Sequence, residues 1–321
     1  MRVVIADHPG APDVLHPITR PDPAPGVGQV RVVVEVAAIT FIDTLIRAGS
    51  SLAPSASFPA VLGNGVGGTV DQVGPDVDPA WIGTLVVTAT GGAGGYADLA
   101  LARAVDLHRV PGPLDLPAAT ALLADGRTAV GLHRAAEIHE SQAVVVTAAA
   151  GGVGGLLVQL ARASGARVIG LAGSATKLDH ARSLGADATM NYRDPAWPDH
   201  LDAAAPHGVD VVFDGIGGAA TAVLFPLVRS GGRYLPHGAA SGSWGSIDST
   251  VAADRGVTVI PLSAIGSTPD DLFSLTERAL DLAAHGTIRP TIGQTFPMDD
   301  AAAAHAAIES RATIGKTLLL P

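Results

Sequence analysis

A glycine-rich segment between an apolar run and a helical pattern is the first part of the sequence whose residue types could do chemistry. In AAAGGVGG, Ala148, Gly151 and Gly154 are spaced as AxxGxxG, directly after AVVVT and directly before an apolar helical repeat that begins at Leu156. Glycines at such a strand-to-helix turn let backbone N–H groups approach a pyrophosphate, whose charge the helix N-terminus stabilises. The segment predicts dinucleotide binding, with mere close packing of helix on strand as the alternative. The candidate contacts are Ala148, Gly151, Gly152, Val153 and Gly154.

Three other motif matches lack the structural context that their chemistry requires. The literal GxGxxG that starts at Gly63 is followed by TVDQVG, which is typical of a strand, so a tight β bend explains it better. The segment SRATIGKT at 310–317 lacks the first glycine of a P-loop and leaves no room for a following helix. The SxxK pair of Ser174 and Lys177 lacks the companion motifs of serine–lysine enzymes. All three are interpreted as structural or chance matches.

The charge pattern after the second apolar run indicates which dinucleotide would bind. An NAD site usually carries an acidic residue there to hold the ribose 2′-OH, but no Asp or Glu occurs between Glu140 and Asp179. The segment GSATK instead offers groups suited to a 2′-phosphate. If Lys177 does not contact a phosphate, it is an ordinary solvated lysine on a helix. If Tyr192 does not contact the cofactor, it simply packs at the rim of the sheet. The sequence therefore predicts NADPH as the cofactor, with contacts from Gly173, Ser174, Lys177, Tyr192 and Arg193.

The elements that must position these residues follow an alternating pattern between about residues 142 and 262. Short β-branched runs alternate there with helical stretches, which is typical of βαβ units in a parallel sheet. The preceding part has short alternating strands separated by Pro/Gly turns, which indicates antiparallel β structure. The part after residue 264 has two alanine-rich helical stretches and an apolar strand, KTLLLP. We predict an α/β chain with a β-rich domain over 1–120, completed by 264–321, and a dinucleotide-binding domain over 121–263. The six predicted parallel strands are 143–147, 167–171, 188–192, 210–214, 232–236 and 257–261.

Composition excludes several classes of protein. The 321 residues suggest two domains at roughly 150 residues each. The composition, with 47% hydrophobic and 16% charged residues, is typical of a globular protein. The formal charge of −10 comes without a basic block, so no nucleic-acid partner and no membrane partner is predicted. The absence of cysteine excludes disulfides, a thiol nucleophile and thiolate-bound metals. The N-terminus does not resemble a signal peptide, and we expect a cytoplasmic protein.

Several segments together resemble the medium-chain dehydrogenase/reductase superfamily, specifically its zinc-independent quinone oxidoreductase branch. The resemblance spans nearly the whole chain, and its motifs are specific only in combination. It implies a GroES-like β-rich domain, a Rossmann domain with a doubly wound parallel six-stranded sheet, NADPH in the cleft between them, and a homodimer. It also implies cofactor contacts after the fourth and fifth strands, at Gly215, Gly238 and Ala239. The segments are FIDTLIRAG (41–49), FPAVLGNGVGGTVDQVG (58–74), GGYADLA (94–100), GRTA (126–129), AAAGGVGG, GADATMNYRD (185–194), GGRYLPHGAASG (231–242) and ESRATIGKTLLLP.

No metal site is predicted. Zinc-dependent members of the superfamily carry a His–Glu pair where this chain has Asn64 and Gly65. A structural zinc lobe would need cysteines, and the eleven histidines show neither HxH nor HExxH spacing. Hydride transfer without a Lewis acid suits a conjugated carbonyl acceptor, a quinone or an enone, because the developing charge is delocalised.

The candidate catalytic residues are polar groups that the resemblance brings near the nicotinamide. Related quinone reductases usually carry Asn at the position of Thr40 and a tyrosine shortly after RAG, whereas SSLAPSAS contains none. A purely structural strand threonine is the alternative for Thr40. Asp43 and Arg47 are spaced for a helical i,i+4 pair, which would line the cleft or simply support the helix. Water is the simplest proton source. The candidates are Thr40, Asp43, Thr128 and His237, with Tyr96 as a further hydrogen-bond donor.

Three hypotheses of function follow. The leading one is an NADPH-dependent, zinc-independent reductase of quinones or α,β-unsaturated carbonyls, acting on a small molecule. The second is a noncatalytic NADPH-binding or regulatory protein on the same fold, because a fold alone does not establish activity. The third, a zinc alcohol dehydrogenase, is nearly excluded by composition.

Overall fold

The computed structural model describes residues 1–321, which form sixteen strands and ten α-helices. The strands are β1 (Arg2–Ala6), β2 (Leu15–Thr19), β3 (Gln29–Ile39), β4 (Ala60–Val61), β5 (Gly65–Val73), β6 (Leu85–Ala89), β7 (Leu99–Arg103), β8 (Leu107–Arg109), β9 (Ala143–Val146), β10 (Arg167–Ala172), β11 (Ala188–Asn191), β12 (Val209–Asp214), β13 (Val228–Pro236), β14 (Thr258–Val259), β15 (Ile292–Pro297) and β16 (Lys316–Leu320). The helices are α1 (Phe41–Arg47), α2 (Leu116–Leu122), α3 (Asp125–Ala136), α4 (Gly152–Ala163), α5 (Ala175–Ser183), α6 (Trp197–Ala204), α7 (Ala219–Leu224), α8 (Ser249–Asp254), α9 (Pro269–Ala284) and α10 (Ala301–Glu309). None of the helices has the length and apolar character needed to span a membrane.

Contacts divide the chain into two compact units. The first contains residues 1–124, 279–284 and 290–321, and the second contains 125–278 and 285–289. Residues 121–124 and 285–289 thus cluster with the other unit from the one that the sequence analysis assigned, and so do residues 264–278, which it assigned to the β-rich domain. Their packing explains the difference, because a methyl group on Gly131 of α3 would lie 2.2 Å from Ile265 and 3.2 Å from Leu275 of α9.

A six-stranded parallel sheet forms the centre of the second unit. Its order is β11-β10-β9-β12-β13-β14, which is the order of a dinucleotide-binding sheet. The β-branched runs pack on both faces, and every residue of β12 is buried, as expected for strands covered by helices on both sides. The six predicted strands and the doubly wound parallel sheet are therefore confirmed.

The first unit consists mainly of antiparallel strands. One sheet has the order β2-β1-β4, and a larger sheet has the order β15-β16-β3-β5-β6-β8, with β7 also paired to β3. Only β15 and β16 pair in parallel. Gly63 lies in the short connection between β4 and β5, and the other two glycines of the literal GxGxxG lie within β5, where a methyl group on Gly68 would lie 1.9 Å from the Val33 carbonyl oxygen. This confirms the structural interpretation of that motif.

A buried polar pair lies within the apolar core of the first unit. Tyr96 and His305 are both fully buried, and Tyr96 Oη lies 3.0 Å from His305 Nε2. The Nδ1 atom of His305 has no hydrogen-bond partner. Burial, with a smaller contribution from the nearby Arg47 guanidinium, lowers the pKa of His305 to about 3. The core therefore accommodates this imidazole only in its neutral form.

The neutral His305 predicts part of the acid sensitivity of the fold. The unfolded chain binds a proton at this residue below about pH 6.5, whereas the native chain does not until about pH 3. The neutral His305 imidazole therefore makes its full contribution to the free energy of unfolding above pH 6.5, and this contribution is lost as the pH falls toward 3. Between pH 5.5 and 4.5, we expect the free energy of unfolding to fall more steeply with decreasing pH in the wild type than in His305→Gln. The two slopes should differ by about 1.4 kcal/mol per pH unit. Urea denaturation at several pH values measures this slope.

The matched control is His200→Gln, because His200 is exposed on α6. Its pH dependence should match that of the wild type. Equal slopes for His305→Gln and the wild type would contradict the prediction.

Candidate functional site

The turn between β9 and α4 has the geometry that its glycines predict. Ala148 adopts a left-handed conformation with φ of 48°, and the Gly151 N–H donates to the Ala148 carbonyl at 2.8 Å. Gly151 is the N-cap residue of α4. A methyl group on Gly154 would lie 2.2 Å from that same carbonyl oxygen, so the helix can approach the strand end only with glycine there. The predicted strand–turn–helix is confirmed.

The first turn of α4 presents backbone N–H groups at the end of the sheet. The Gly155 N–H makes the first bond back into the helix, to Gly151, so the N–H groups of Gly152, Val153 and Gly154 precede the intrahelical ladder. This arrangement favours an anion such as a pyrophosphate. A methyl group on Gly152 would lie 1.9 Å from Asp125 Oδ2, so an acidic side chain also packs against this turn. Sequence reasoning missed Asp125, which is 27 residues away in the chain.

Polar and cationic side chains meet at the carboxyl ends of β10 and β11. A methyl group on Gly173 would lie 2.8 Å from Tyr192 Oη and 3.1 Å from Arg193 Nε. Ser174 caps α5 and accepts from the Lys177 N–H at 3.4 Å, which places Lys177 on the first helical turn. The Arg193 side chain is exposed and forms no ion pair. The structure thus brings Gly173, Tyr192 and Arg193 together, with Ser174 and Lys177 at the start of the helix that follows β10.

A second group of predicted residues meets at the ends of β12 and β13. A methyl group on Gly215 would lie 2.8 Å from His237 Cε1, 3.3 Å from His237 Nε2 and 3.5 Å from Ala148 Cβ. A methyl group on Gly238 would lie 2.6 Å from the Gly215 carbonyl oxygen. Ala239 is buried directly after Gly238. The imidazole therefore packs directly on the Gly215 backbone, and the chain at Gly238 approaches Gly215 so closely that neither position has room for a side chain.

His237 is held in its neutral form at this edge of the sheet. Its Nε2 atom is buried and has no hydrogen-bond partner. Burial lowers the pKa of His237 to about 4, although the nearby Asp214 carboxylate and the backbone carbonyl of His237 act in the opposite direction. At neutral pH the imidazole of His237 is therefore uncharged and can interact only through hydrogen bonds.

The loop after β12 is organised by one buried carboxylate that sequence reasoning missed. Asp214 is the last residue of β12, and the only signal for it in the sequence is an acidic residue closing an apolar run. Its neighbour Thr147 accepts from the Gly215 N–H at 2.7 Å. Burial is the largest cause that raises the pKa of Tyr234 well above its usual range, and the Asp214 carboxylate adds to it. The groups that donate to the Asp214 carboxylate are Tyr234 Oη at 2.5 Å, Thr221 Oγ1 at 2.8 Å, the N–H groups of Ile216 and Gly217 at 3.0 Å each, and Thr147 Oγ1 at 3.3 Å.

In the first unit, Thr40 and Asp43 form a capping arrangement at the start of α1. Asp43 Oδ2 accepts from the Thr40 N–H at 2.7 Å and from the Thr40 hydroxyl at 2.6 Å. Burial raises the pKa of Asp43, while the Thr40 donors and the Lys316 ammonium lower it by less. The hydroxyl proton of Thr40 therefore points at Asp43, and its lone pairs remain to accept hydrogen bonds.

The predicted ion pair between Asp43 and Arg47 is wrong. The buried Arg47 guanidinium pairs with Glu309 of α10 and donates to the Gly10 carbonyl. The helical spacing of Asp43 and Arg47 is present, but Asp43 is occupied by Thr40, and tertiary packing offers Arg47 another carboxylate. Arg47 is therefore a structural residue of the first unit.

The remaining predicted residues differ in their surroundings. Thr128 is half-buried in the first turn of α3, in the second unit. Tyr96 is fully buried in the core of the first unit with its hydroxyl at His305, so it does not face a ligand. Asn64 Oδ1 accepts from the Gly92 N–H at 2.6 Å. No group of three or more His, Asp or Glu side chains could hold a metal ion.

Comparison with known proteins gives matches along the whole chain. A family described as alcohol dehydrogenase GroES-like domain matches residues 26–112, and one described as zinc-binding dehydrogenase matches residues 184–319. A quinone oxidoreductase from Pseudomonas aeruginosa is 31% identical over 317 residues, which is 97% of each chain. A 2-haloacrylate reductase from Burkholderia is 32% identical, covering 93% of this chain and 92% of the relative.

The solved structures agree with the sequence matches. The Escherichia coli quinone oxidoreductase in complex with NADPH has a TM-score of 0.92 and 30% identity, covering 100% of both chains. The fold is therefore that of an oxidoreductase built from a GroES-like and a Rossmann domain. The chain belongs to the quinone oxidoreductase family of the medium-chain dehydrogenases/reductases. The homodimer and the cytoplasmic location stay predictions.

The Asp214 network predicts an unequal effect of removing tyrosine hydroxyls. Tyr234→Phe takes a donor from a buried carboxylate, so we expect the unfolding free energy to fall by about 1.5–3 kcal/mol. Tyr192→Phe is the matched control, because the Tyr192 hydroxyl is on a half-buried residue with no hydrogen-bond partner, and it should cost about 0.5 kcal/mol or less. Urea denaturation at pH 7 measures both. Equal costs would mean that the network contributes little.

Proposed function

We propose that the protein transfers a hydride from NADPH to a conjugated carbonyl acceptor, a quinone or an α,β-unsaturated carbonyl. The observation that carries the cofactor assignment is the group formed by Gly173, Tyr192 and Arg193 at the ends of β10 and β11. An unpaired guanidinium there matches a phosphate, and an NAD site would usually place a carboxylate at this point. The NADPH complex of the Escherichia coli relative supports the same cofactor.

The residues of the second unit fit this cofactor in three places along one sheet edge. The first turn of α4 would hold the pyrophosphate, and the end of β10 would hold the 2′-phosphate. The ends of β12 and β13, where Gly215 and Gly238 follow the strands, would take the other half of the molecule. When bound, NADPH would supply the hydride, and the chain would position it against the acceptor.

The acceptor class is supported by the polar groups available. Without a cluster of metal ligands, developing negative charge would be stabilised by hydrogen bonding alone. A quinone or enone spreads that charge over a phenolate or enolate, so modest donors suffice, and water would deliver the proton. The relative named 2-haloacrylate reductase is consistent with a conjugated acceptor.

A noncatalytic NADPH-binding protein is the second candidate. One observation favours it: the Thr40 hydroxyl proton is directed at the Asp43 carboxylate, so in the ligand-free protein it is not directed at an acceptor. Turnover separates the two candidates. Tight NADPH binding with no oxidation by any quinone, enone or haloacrylate would support the second.

The cofactor assignment predicts a preference for NADPH over NADH that depends on the cationic residues. Lys177→Ala and Arg193→Ala should each weaken NADPH binding about 10- to 100-fold, because a charge-assisted phosphate contact is lost, and should leave NADH binding nearly unchanged. Titration of nucleotide fluorescence measures both dissociation constants. Arg182→Ala is the control, since Arg182 lies in the last turn of α5 and pairs with Asp179. Equal affinities of the wild type for NADPH and NADH would refute the assignment.

The acceptor assignment predicts that Thr40 affects turnover more than NADPH binding. The proposal requires the Thr40 hydroxyl to turn from Asp43 to the acceptor oxygen when the acceptor binds. Thr40→Val removes that donor and should lower kcat/KM for the best acceptor about 10- to 100-fold, with an unchanged Kd for NADPH. Thr40→Ser keeps the hydroxyl and should retain most activity, which separates the loss of the hydroxyl from a change in side-chain shape. Assays with and without a chelator should agree. A folded Thr40→Val with wild-type turnover would make Thr40 purely structural.

A further inference from the structure

Arg127 is a half-buried cation without a partner. It lies in the first turn of α3, and its side chain forms no hydrogen bond and no ion pair. Burial lowers the pKa of this guanidinium and no carboxylate acts to raise it, whereas pairing with Asp98, Asp71 or Asp271 raises the pKa of other arginines. A charge that leaves water without gaining a counter-charge is destabilising, so such groups are normally paired. Arg127 therefore lacks an anion.

The chain segment packed beside Arg127 supplies no such anion. Arg127 lies four residues before Gly131, so the two residues share one face of α3. A methyl group on Gly131 would lie 2.2 Å from Ile265, so this face packs against the segment that follows β14. Residues 255–269, which include that segment, contain no Asp or Glu.

The direction of α3 places Arg127 near the carboxyl ends of β13 and β14. Asp125, at the start of α3, packs on Gly152 in the turn proposed for the pyrophosphate. Each residue of a helix advances by about 100°, so Arg127 lies on nearly the opposite side of α3 from Asp125. On that side, the segment around Ile265 continues from the end of β14, which is the neighbour of β13. Arg127 thus lies on the side of α3 that is turned away from the proposed pyrophosphate.

We propose that Arg127 binds a carboxylate group of the acceptor, so that the preferred substrate is an α,β-unsaturated carbonyl compound that also carries a carboxylate. This inference rests on the proposed function, in which the acceptor meets the other half of NADPH at the ends of β12 and β13. The proposed phosphate contacts lie at α4 and at the end of β10, away from Arg127. A guanidinium matches a carboxylate with two parallel N–H donors. Arg127 would thereby determine specificity without taking part in hydride transfer.

The test uses 3-benzoylacrylate and its methyl ester, because both contain the same enone and only the first carries a carboxylate. Both are assayed with NADPH. We expect Arg127→Leu to lower kcat/KM for the acid about 10- to 100-fold and to leave kcat/KM for the ester and the Kd for NADPH unchanged, since only a charge-assisted contact is lost. Arg127→Lys keeps the charge without the paired donors and should retain part of the preference for the acid.

The matched control is Arg134→Leu. It removes a positive charge from the same helix, but Arg134 pairs with Asp271 on α9, so its ratio of acid to ester kcat/KM should equal that of the wild type. An equal fall of this ratio in both variants would show a general effect of charge and would overturn the inference.

A measurement on the wild type needs no variant. The saturated analogue 3-benzoylpropionate should compete with the ester acceptor at least tenfold more strongly than its own methyl ester does. Equal inhibition by the two analogues would overturn the role of Arg127 in binding a carboxylate.

The remaining outcomes separate this inference from the proposed function. Equal losses of kcat/KM for acid and ester in Arg127→Leu, or a weaker binding of NADPH by that variant, would overturn the inference and leave the reductase assignment intact. A wild type that binds NADPH but reduces neither compound and no quinone would overturn both.

Discussion

The buried carboxylate of Asp214 is the interaction on which the edge of the parallel sheet depends. It accepts hydrogen bonds from the loop that follows β12, from α7 and from β13, and so it fixes three chain segments to one another. A buried carboxylate is stable only when such donors surround it, and each donor is thereby held in one place. Because Gly215 and His237 follow directly from these segments, the Asp214 carboxylate also fixes the backbone at both residues, and with it the close packing of the imidazole on Gly215.

The two ends of this edge differ in their chemistry. The end of β10 presents an exposed guanidinium without a counter-ion, in a chain with a formal charge of −10. A local cation in an acidic protein favours a phosphate by direct pairing, since the net charge of the molecule repels anions at longer range. The end of β13 instead offers a neutral imidazole in a dry environment. The first end offers charge, and the second offers an uncharged hydrogen-bonding group.

Local patterns were enough to predict the parallel sheet and the glycine turn. The β-branched runs between residues 143 and 261 define strands by themselves, and the spacing of Ala148, Gly151 and Gly154 fixes the turn between strand and helix. The approach of Tyr192 and Arg193 to Gly173 also followed, because adjacent parallel strands end at the same edge. These predictions need only neighbours in the chain and the regularity of the sheet.

Long-range pairing could not be predicted in the same way. Arg47 had a carboxylate four residues before it, yet it pairs with Glu309, which is 262 residues away. The packing of α9 on α3 through Gly131 and Leu275, and the burial of Nε2 in His237, depend on the same kind of contact.

The separation between the two ends of the sheet edge has a kinetic consequence. If NADPH binds as proposed, with its phosphates at β10 and α4, its other half is held near the ends of β12 and β13 at a high effective concentration, so docking there would be an intramolecular step. The residence time of the molecule would then be set at the charged end. The neutral end, at β13, would only determine the fraction of that time for which the other half of the dinucleotide is docked.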